Sequence, residues 1–384
     1  MNPIYFDHAA TTPMSQAAIQ VYIDAVNSGP GNPSSLHQHG RAARARVTAA
    51  RDRLADLLGC AASELVFTGS GTESDNAALY GAVLSQRLKG RTGIVTTAIE
   101  HHAVLNTCKQ LEAQGFKLTI LPVDDLGQVA VSDAEAAIDD STAIVSIMAG
   151  NNEMGTLQPI AQIGELARKY KALMHVDAVQ AFGYMSLQMR ELPIDLLSIS
   201  AHKLNGPQGI GLLYVRKGIL PLEPLIIGGS QERKRRAGTE NVGAIAAFAK
   251  AAEDAIVERE MRYQHVLQLR NLMIEQLTAR IGADAFRING NPDNSLPHIL
   301  NISFMGIPAE SMLMNLDIEG IAASGGSACT SGSLQPSHVL AAMKLSPEII
   351  VSAVRFSFGL GNTIEEVEKA TQIIATIWAR LRYK

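Results

Sequence analysis

"DLLSISAHKLNGPQGIGLLYVR", residues 195–216, begins and ends in short apolar runs and carries Ser200, His202 and Lys203 between them. An apolar run of this length, bounded by a turn, reads as a buried strand. A second run starts after "NGPQG" (205–209), so two strands flank a cluster of polar side chains. Lysine is a poor residue to leave inward at a strand end unless its amine is used. A desolvated lysine beside other polar or cationic groups has a lowered pKa and can form a Schiff base with a carbonyl compound. A surface lysine with a snorkelling stem is the plain alternative on this stretch alone.

Working outward, the same design recurs. "ELVFTG", "TGIVTTA", "KLTILPV", "TAIVSIMAG" and "ALMHVDA" are apolar runs separated by amphipathic stretches such as "PIAQIGELARKYK" (159–171). Continuous strands interleaved with helices imply an α/β fold, with a mostly parallel sheet sandwiched by helices. At 384 residues the chain exceeds what one core serves, and two domains are expected. Residues 15–260 form the expected large domain; 1–14 and 261–384 form a smaller α+β domain. A long helical stretch from about 243 to 281 links the two, and strands flanking a helix at 309–318 follow. Cys329 belongs to "SGGSACTSG" (324–332), whose glycines read as a loop that rearranges cheaply, with Pro336 starting the next helix.

Composition narrows the function. The net charge of 33 − 37 = −4 argues against nucleic acid as a main partner. The dense basic run "ERKRRAG" (232–238) is either a solvated loop or an anion site. No apolar stretch approaches the roughly 20 residues that span a bilayer, and the start lacks a signal-peptide pattern. Three cysteines make an odd count with wide spacing, so free thiols and a cytoplasmic, reducing setting are expected, with no metal site. Cys60 and Cys108 read as structural.

In a parallel sheet, ligands bind beyond the carboxyl ends of the strands, so the residues there are the candidates. "TGSGTESDN" gives a glycine turn into a helix, with Ser70 and Glu73 at capping-box spacing; free amides there favour a phosphate. Asp177 ends an apolar strand, where a carboxylate needs a cation or donors. Gln180 follows it. His101 opens a helix, and Asn151 and Asn152 follow another strand. Arg355 sits mid-strand in "AVRFSFG"; its fork suits a carboxylate, and an internal ion pair is the alternative.

The order of these motifs resembles the signature of fold-type I pyridoxal-phosphate enzymes. With "SGGSACTSGSLQPSHVL" added, the chain resembles a class V member, a cysteine desulfurase of the NifS/IscS type, over nearly its whole length. The resemblance implies that Lys203 carries pyridoxal 5'-phosphate and that Asp177 pairs with the ring nitrogen. It also implies that Gln180 bonds the ring hydroxyl and that His101 stacks on the ring and moves protons. Thr72, Ser200 and His202 would hold the phosphate, and Thr239 would reach the phosphate of the neighbouring subunit in a homodimer. Asn152, also counted with the cofactor, and Arg355 would grip the carboxylate of L-cysteine. Cys329 would be the nucleophile, ending as a persulfide while L-alanine leaves.

A sulfur-acceptor protein is then expected, either an iron–sulfur scaffold or a tRNA-thiolation enzyme. The chain stops at Lys384, and the longer tail of housekeeping relatives that helps dock the scaffold is not there; this turns the expectation toward a dedicated acceptor. Direct nucleic-acid or membrane binding is not expected. The competing readings are a selenocysteine lyase, a kynureninase-like lyase or aminotransferase of the same fold, and a non-enzymatic sulfur-relay protein.

Overall fold

The computed structural model describes residues 3–219, 221–326 and 336–382. Strands β1 (Ile4–Tyr5), β2 (Leu65–Thr68), β3 (Gly93–Thr97), β4 (Lys117–Leu121), β5 (Thr142–Met148), β6 (Leu173–Asp177), β7 (Leu196–Ser200) and β8 (Gly211–Val215) come first. All but β1 form one sheet in the order β2-β8-β7-β6-β5-β3-β4. Side chains alternate between its faces, as the two-residue period of a strand requires. Leu65 and Phe67 of β2, Val145 and Ile147 of β5, and Leu212 and Tyr214 of β8 join one apolar cluster. Val66, Ile144, Leu213 and Val215 join the cluster on the opposite face. Both faces are therefore covered, which is why the strands read as unbroken apolar runs.

Only β8 runs against the others, pairing antiparallel with both β2 and β7. Residues 201–210 are all that connect β7 to β8. A parallel return needs a crossover of a dozen or more residues, so this short link forces the reversal.

The rest of the chain adds β9 (Phe286–Asn289), β10 (Ile299–Phe304), β11 (Ile321–Ala322), β12 (Ser324–Gly325) and β13 (Ala353–Ser357). Four of these make an antiparallel sheet ordered β12-β13-β10-β9, while β11 pairs with β1. Phe6, Phe304, Phe356, Phe358 and Ile374 centre a separate apolar cluster that joins the chain start to residues 266–377.

Three local expectations change. The helical stretch from 243 is two helices, Val242–Val257 and Arg259–Ile281, meeting at Glu258, whose backbone departs from helical values (φ −95°, ψ 10°). The helix after the cysteine segment starts at His338, two residues beyond Pro336. Ser337 caps it, its hydroxyl accepting from the Leu340 N–H, because a serine side chain supplies the acceptor that proline lacks. Gly325 is not loop but part of β12, opposite Val354. Among the described residues no helix is long and apolar enough to cross a membrane.

The basic run is not a free loop. Glu232, Arg233 and Lys234 all have left-handed backbones (φ 47°, 56° and 64°), a costly state for residues with side chains. What holds the turn is Glu232, buried against Arg51 with its two oxygens 2.5 and 2.8 Å from the guanidinium. It also accepts the Phe67 N–H at 3.1 Å. Arg51→Ala would leave that carboxylate buried and unpaired, at a cost of about 3–5 kcal/mol. The expected result is a lower Tm and faster trypsin cleavage within 233–236, and Glu232→Gln added to Arg51→Ala should recover part of the loss.

Candidate active site

The carboxyl ends of the parallel strands open into a cavity of about 300 Å³. Thr72, His101, Asn152, Asp177, Gln180, Ser200, His202, Lys203 and Arg355 all line it. These residues are spread over nearly three hundred positions of sequence, and the strand ends bring them together.

The helix Gly71–Arg87 starts at the cavity wall. Ser70 caps it, its hydroxyl accepting the Glu73 N–H at 3.1 Å. The return bond of a capping box is displaced by one residue, since Glu73 accepts from the Gly69 N–H at 2.7 Å. Glu73 also pairs with Arg236 at 2.9 Å, so the basic run braces this turn from behind. Gly71 is hemmed in, because a methyl on its Cα would lie 2.7 Å from Val179 Cγ2.

Asp177 is the last residue of β6, and its Oδ1 accepts the Val179 N–H at 2.9 Å. Burial pushes its carboxyl up to about 6, against the opposing pull of that N–H and of Lys203. Lys203 is no snorkelling surface residue: its ammonium turns inward and donates to the carbonyls of Ala9 and, at 2.7 Å, Ala10. Gln180 donates from Nε2 to the Ala9 carbonyl at 2.8 Å.

His101 caps the helix His102–Ala113, its Nδ1 accepting the Ala103 N–H at 3.1 Å. That bond leaves the proton of the neutral ring on Nε2. Burial first, then the charges of Lys203 and of two histidines, hold its pKa down to about 4. His202 is also held near 4, by burial and Lys203, and its Nδ1 lies 3.1 Å from the Thr11 hydroxyl.

Arg355 is 1% exposed. It donates to Asp7 Oδ1 at 2.9 Å and to the Asn152 carbonyl at 2.8 Å. The internal ion pair weighed from the sequence is therefore present, at a residue that also lines the cavity. Thr239 lines a different, smaller cavity together with Gly69, Arg236 and Gly238. Cys329 lies outside the described residues. Cys108 is buried and Cys60 partly so, and burial pushes both thiols up to about 12, which suits inert packing.

Several cavity residues were missed from the sequence. Asp75, Glu153 and His338 also line the space, as does His102 beside His101. Asp75 is buried 3.6 Å from His175, and burial with the nearby charge of Asp177 raises its carboxyl well above the usual range. It was findable, since Gly71, Ser74, Asp75 and Ala78 are spaced i, i+3, i+4, i+7 and share the buried face of their helix. Glu153 is buried too, and its Oε2 accepts from the Ser337 hydroxyl at 2.5 Å. The rings of His102 and His338 lie 4.6 Å apart.

The family model for aminotransferase class-V matches residues 4–370. A protein named putative cysteine desulfurase IscS 1, from Bacillus subtilis (strain 168), is 47% identical over 382 residues, covering 99% of this chain and 100% of that one. A solved NifS-like protein superposes with a TM-score of 0.91 at 37% identity, covering 99% of this chain and 100% of that one. A structure of SspA in complex with cysteine has a TM-score of 0.81 and 34% identity over 93% of this chain and 99% of its own. The chain belongs to the class-V aminotransferase family, among its pyridoxal-phosphate-dependent cysteine desulfurases.

Proposed function

We propose that this chain takes sulfur from L-cysteine onto Cys329, using Lys203, Asp177 and His101 around one bound pyridoxal phosphate. The observation that carries the reading is the convergence of an inward lysine, a buried carboxylate and a neutral histidine on a single cavity at the sheet's carboxyl end.

The cavity fits the cofactor. The helix N-terminus with Thr72, beside Ser200 and His202, offers donors for a phosphate, and Gly71 keeps that cradle open. Asp177 holds the ring nitrogen in its protonated form, Gln180 meets the ring hydroxyl, and Lys203 anchors the group through its amine. Bound there, pyridoxal phosphate supplies an electron sink for bond changes in the amino-acid substrate.

Asn152 and Arg355 orient the substrate carboxylate. Lys203 then holds and moves a proton at Nζ, while neutral His101, protonated at Nε2, can donate one from that atom. Cys329 attacks as the thiolate, because a thiol is a poor nucleophile. A sulfur–sulfur bond forms as the substrate's carbon–sulfur bond breaks, and the released electron pair is protonated on carbon. L-cysteine and a thiol become L-alanine and a persulfide, with no outside oxidant. Gly326 and Ser337, which flank the segment carrying Cys329, both abut the cavity residue Glu153 and so support delivery from there.

Thr239 serves the phosphate of a neighbouring subunit in a homodimer. The exposed apolar residues Leu225, Ile226 and Ile227 lie beside it, Ile226 accepting the Ala237 N–H, and they supply surface for such an interface. The persulfide passes to an acceptor protein for iron–sulfur cluster assembly or tRNA thiolation, in the cytoplasm.

Purified protein given L-cysteine should yield alanine, and sulfide with added dithiol. Mass spectrometry should show +32 Da on Cys329, as expected for one added sulfur atom. Cys329→Ala should abolish both while the cofactor colour stays, and Lys203→Ala should remove the colour; alanine formation undiminished in Cys329→Ala overturns the reading. Gly71→Ala should weaken cofactor retention on dialysis about tenfold, the scale of a small overpacking penalty. A carboxyl raised to about 6 costs the unliganded fold stability as pH rises from about 4 through 6. Loading the cofactor should therefore raise Tm more at pH 8 than at pH 5, and Asp177→Asn should remove that difference.

A further inference from the structure

Gln180 is itself held from behind by a buried histidine. The Ala9 carbonyl can only accept, so the Gln180 atom 2.8 Å from it is the amide nitrogen. The amide oxygen is then the atom 3.3 Å from His298 Nε2, and that ring nitrogen must carry the proton. Burial, with the charges of His8, Lys203 and Arg355, holds the His298 pKa down to about 3, so the ring is neutral. Its Nδ1 therefore has a lone pair, and no hydrogen-bond partner among the described residues.

The ring is fixed in place. It is 4% exposed and stacks on Tyr184 at 4.2 Å with planes 12° apart. It borders a chamber of about 20 Å³ shared with His8, Tyr184, Lys203 and Arg262, which has room for about one water. A water there can donate to Nδ1, which would complete the neutral tautomer.

We infer that His298 is a positioning residue: by donating to Gln180 Oε1 while Ala9 accepts from Nε2, it fixes the amide so that a nitrogen-bound hydrogen remains for the cavity. The inference rests on the reading of Gln180 as partner of the cofactor's ring hydroxyl. A donor held at that oxygen favours its ionised form and lowers the pH at which the bound cofactor changes colour.

The test is an absorbance titration of the holoenzyme with pH. His298→Phe keeps the stack but removes the donor, and should raise the colour midpoint by about half a unit, the scale of one weakened charge-assisted bond. His298→Gln, which retains an N–H of similar reach, should titrate like the parent. Gln180→Ala should shift the midpoint at least as far, and adding His298→Phe to it should shift nothing more. If His298→Phe does not fold, His298→Met supplies the donor-free replacement. A shift in Gln180→Ala with none in either donor-free variant overturns the role of His298, as does a lowered Tm with an unmoved midpoint. No shift in Gln180→Ala overturns the reading of Gln180 itself, and the inference with it.

Discussion

Asp177 is a carboxylate buried at the cavity wall, where one backbone N–H donates to it. Burial raises its pKa from the ordinary carboxylate value to about 6, so ionisation at neutral pH works against the unliganded fold. Packing alone does not explain such a residue at the end of a buried strand. A protonated heterocycle nitrogen does, because it returns in binding what burial takes from folding. Asp75 and Glu100 sit close behind and are pushed the same way by the same burial. The cavity thus gathers buried acids at one end and free amides of a helix start at the other. A ligand with a cationic ring and an anionic phosphate matches that polarity.

Lys203 shows how the sheet's geometry serves this pairing. It lies just after β7, in a link too short for a parallel crossover, so the chain must turn back at the cavity's edge. The turn brings Lys203 against the carbonyls of Ala9 and Ala10, from the first residues of the chain. Ala9 takes a hydrogen bond from Gln180 as well. One short stretch near the N-terminus therefore orients both the amine proposed to anchor the cofactor and the amide proposed to face its ring.

Much of this was legible in the sequence because strand ends are legible. An apolar run that stops at Asp177 or Ser200 marks which residue reaches the ligand side, and a glycine turn before a helix marks the phosphate cradle. Partnerships were not legible, since they join residues far apart. Arg355 finds Asp7 across 348 positions, and Glu232 finds Arg51 across 181. Asp75 and His338 were passed over because each lies in a helix, where facing is set by packing rather than by the end of a run, and Glu153 because it lies in the turn beyond β5. The break at Glu258 has no proline or glycine to announce it.

Arg355 carries a further consequence. Its guanidinium draws on Asp7, on the Asn152 carbonyl and, through Asp7, on Ser324 of β12, whose hydroxyl donates to Asp7 at 2.7 Å. The residue proposed to grip the substrate is thereby tied to the strand that leads into the cysteine segment. Gly326, two residues on, sits against Glu153: a methyl there would lie 2.3 Å from Oε2 and force that carboxylate to move. Ser337, on the far side of the segment, donates to that same oxygen. A single buried carboxylate thus contacts both flanks of the stretch bearing Cys329, and the Arg355 neighbourhood adjoins one of them. Because Glu153 also lines the cavity, a shift of either flank would be felt at the proposed substrate site.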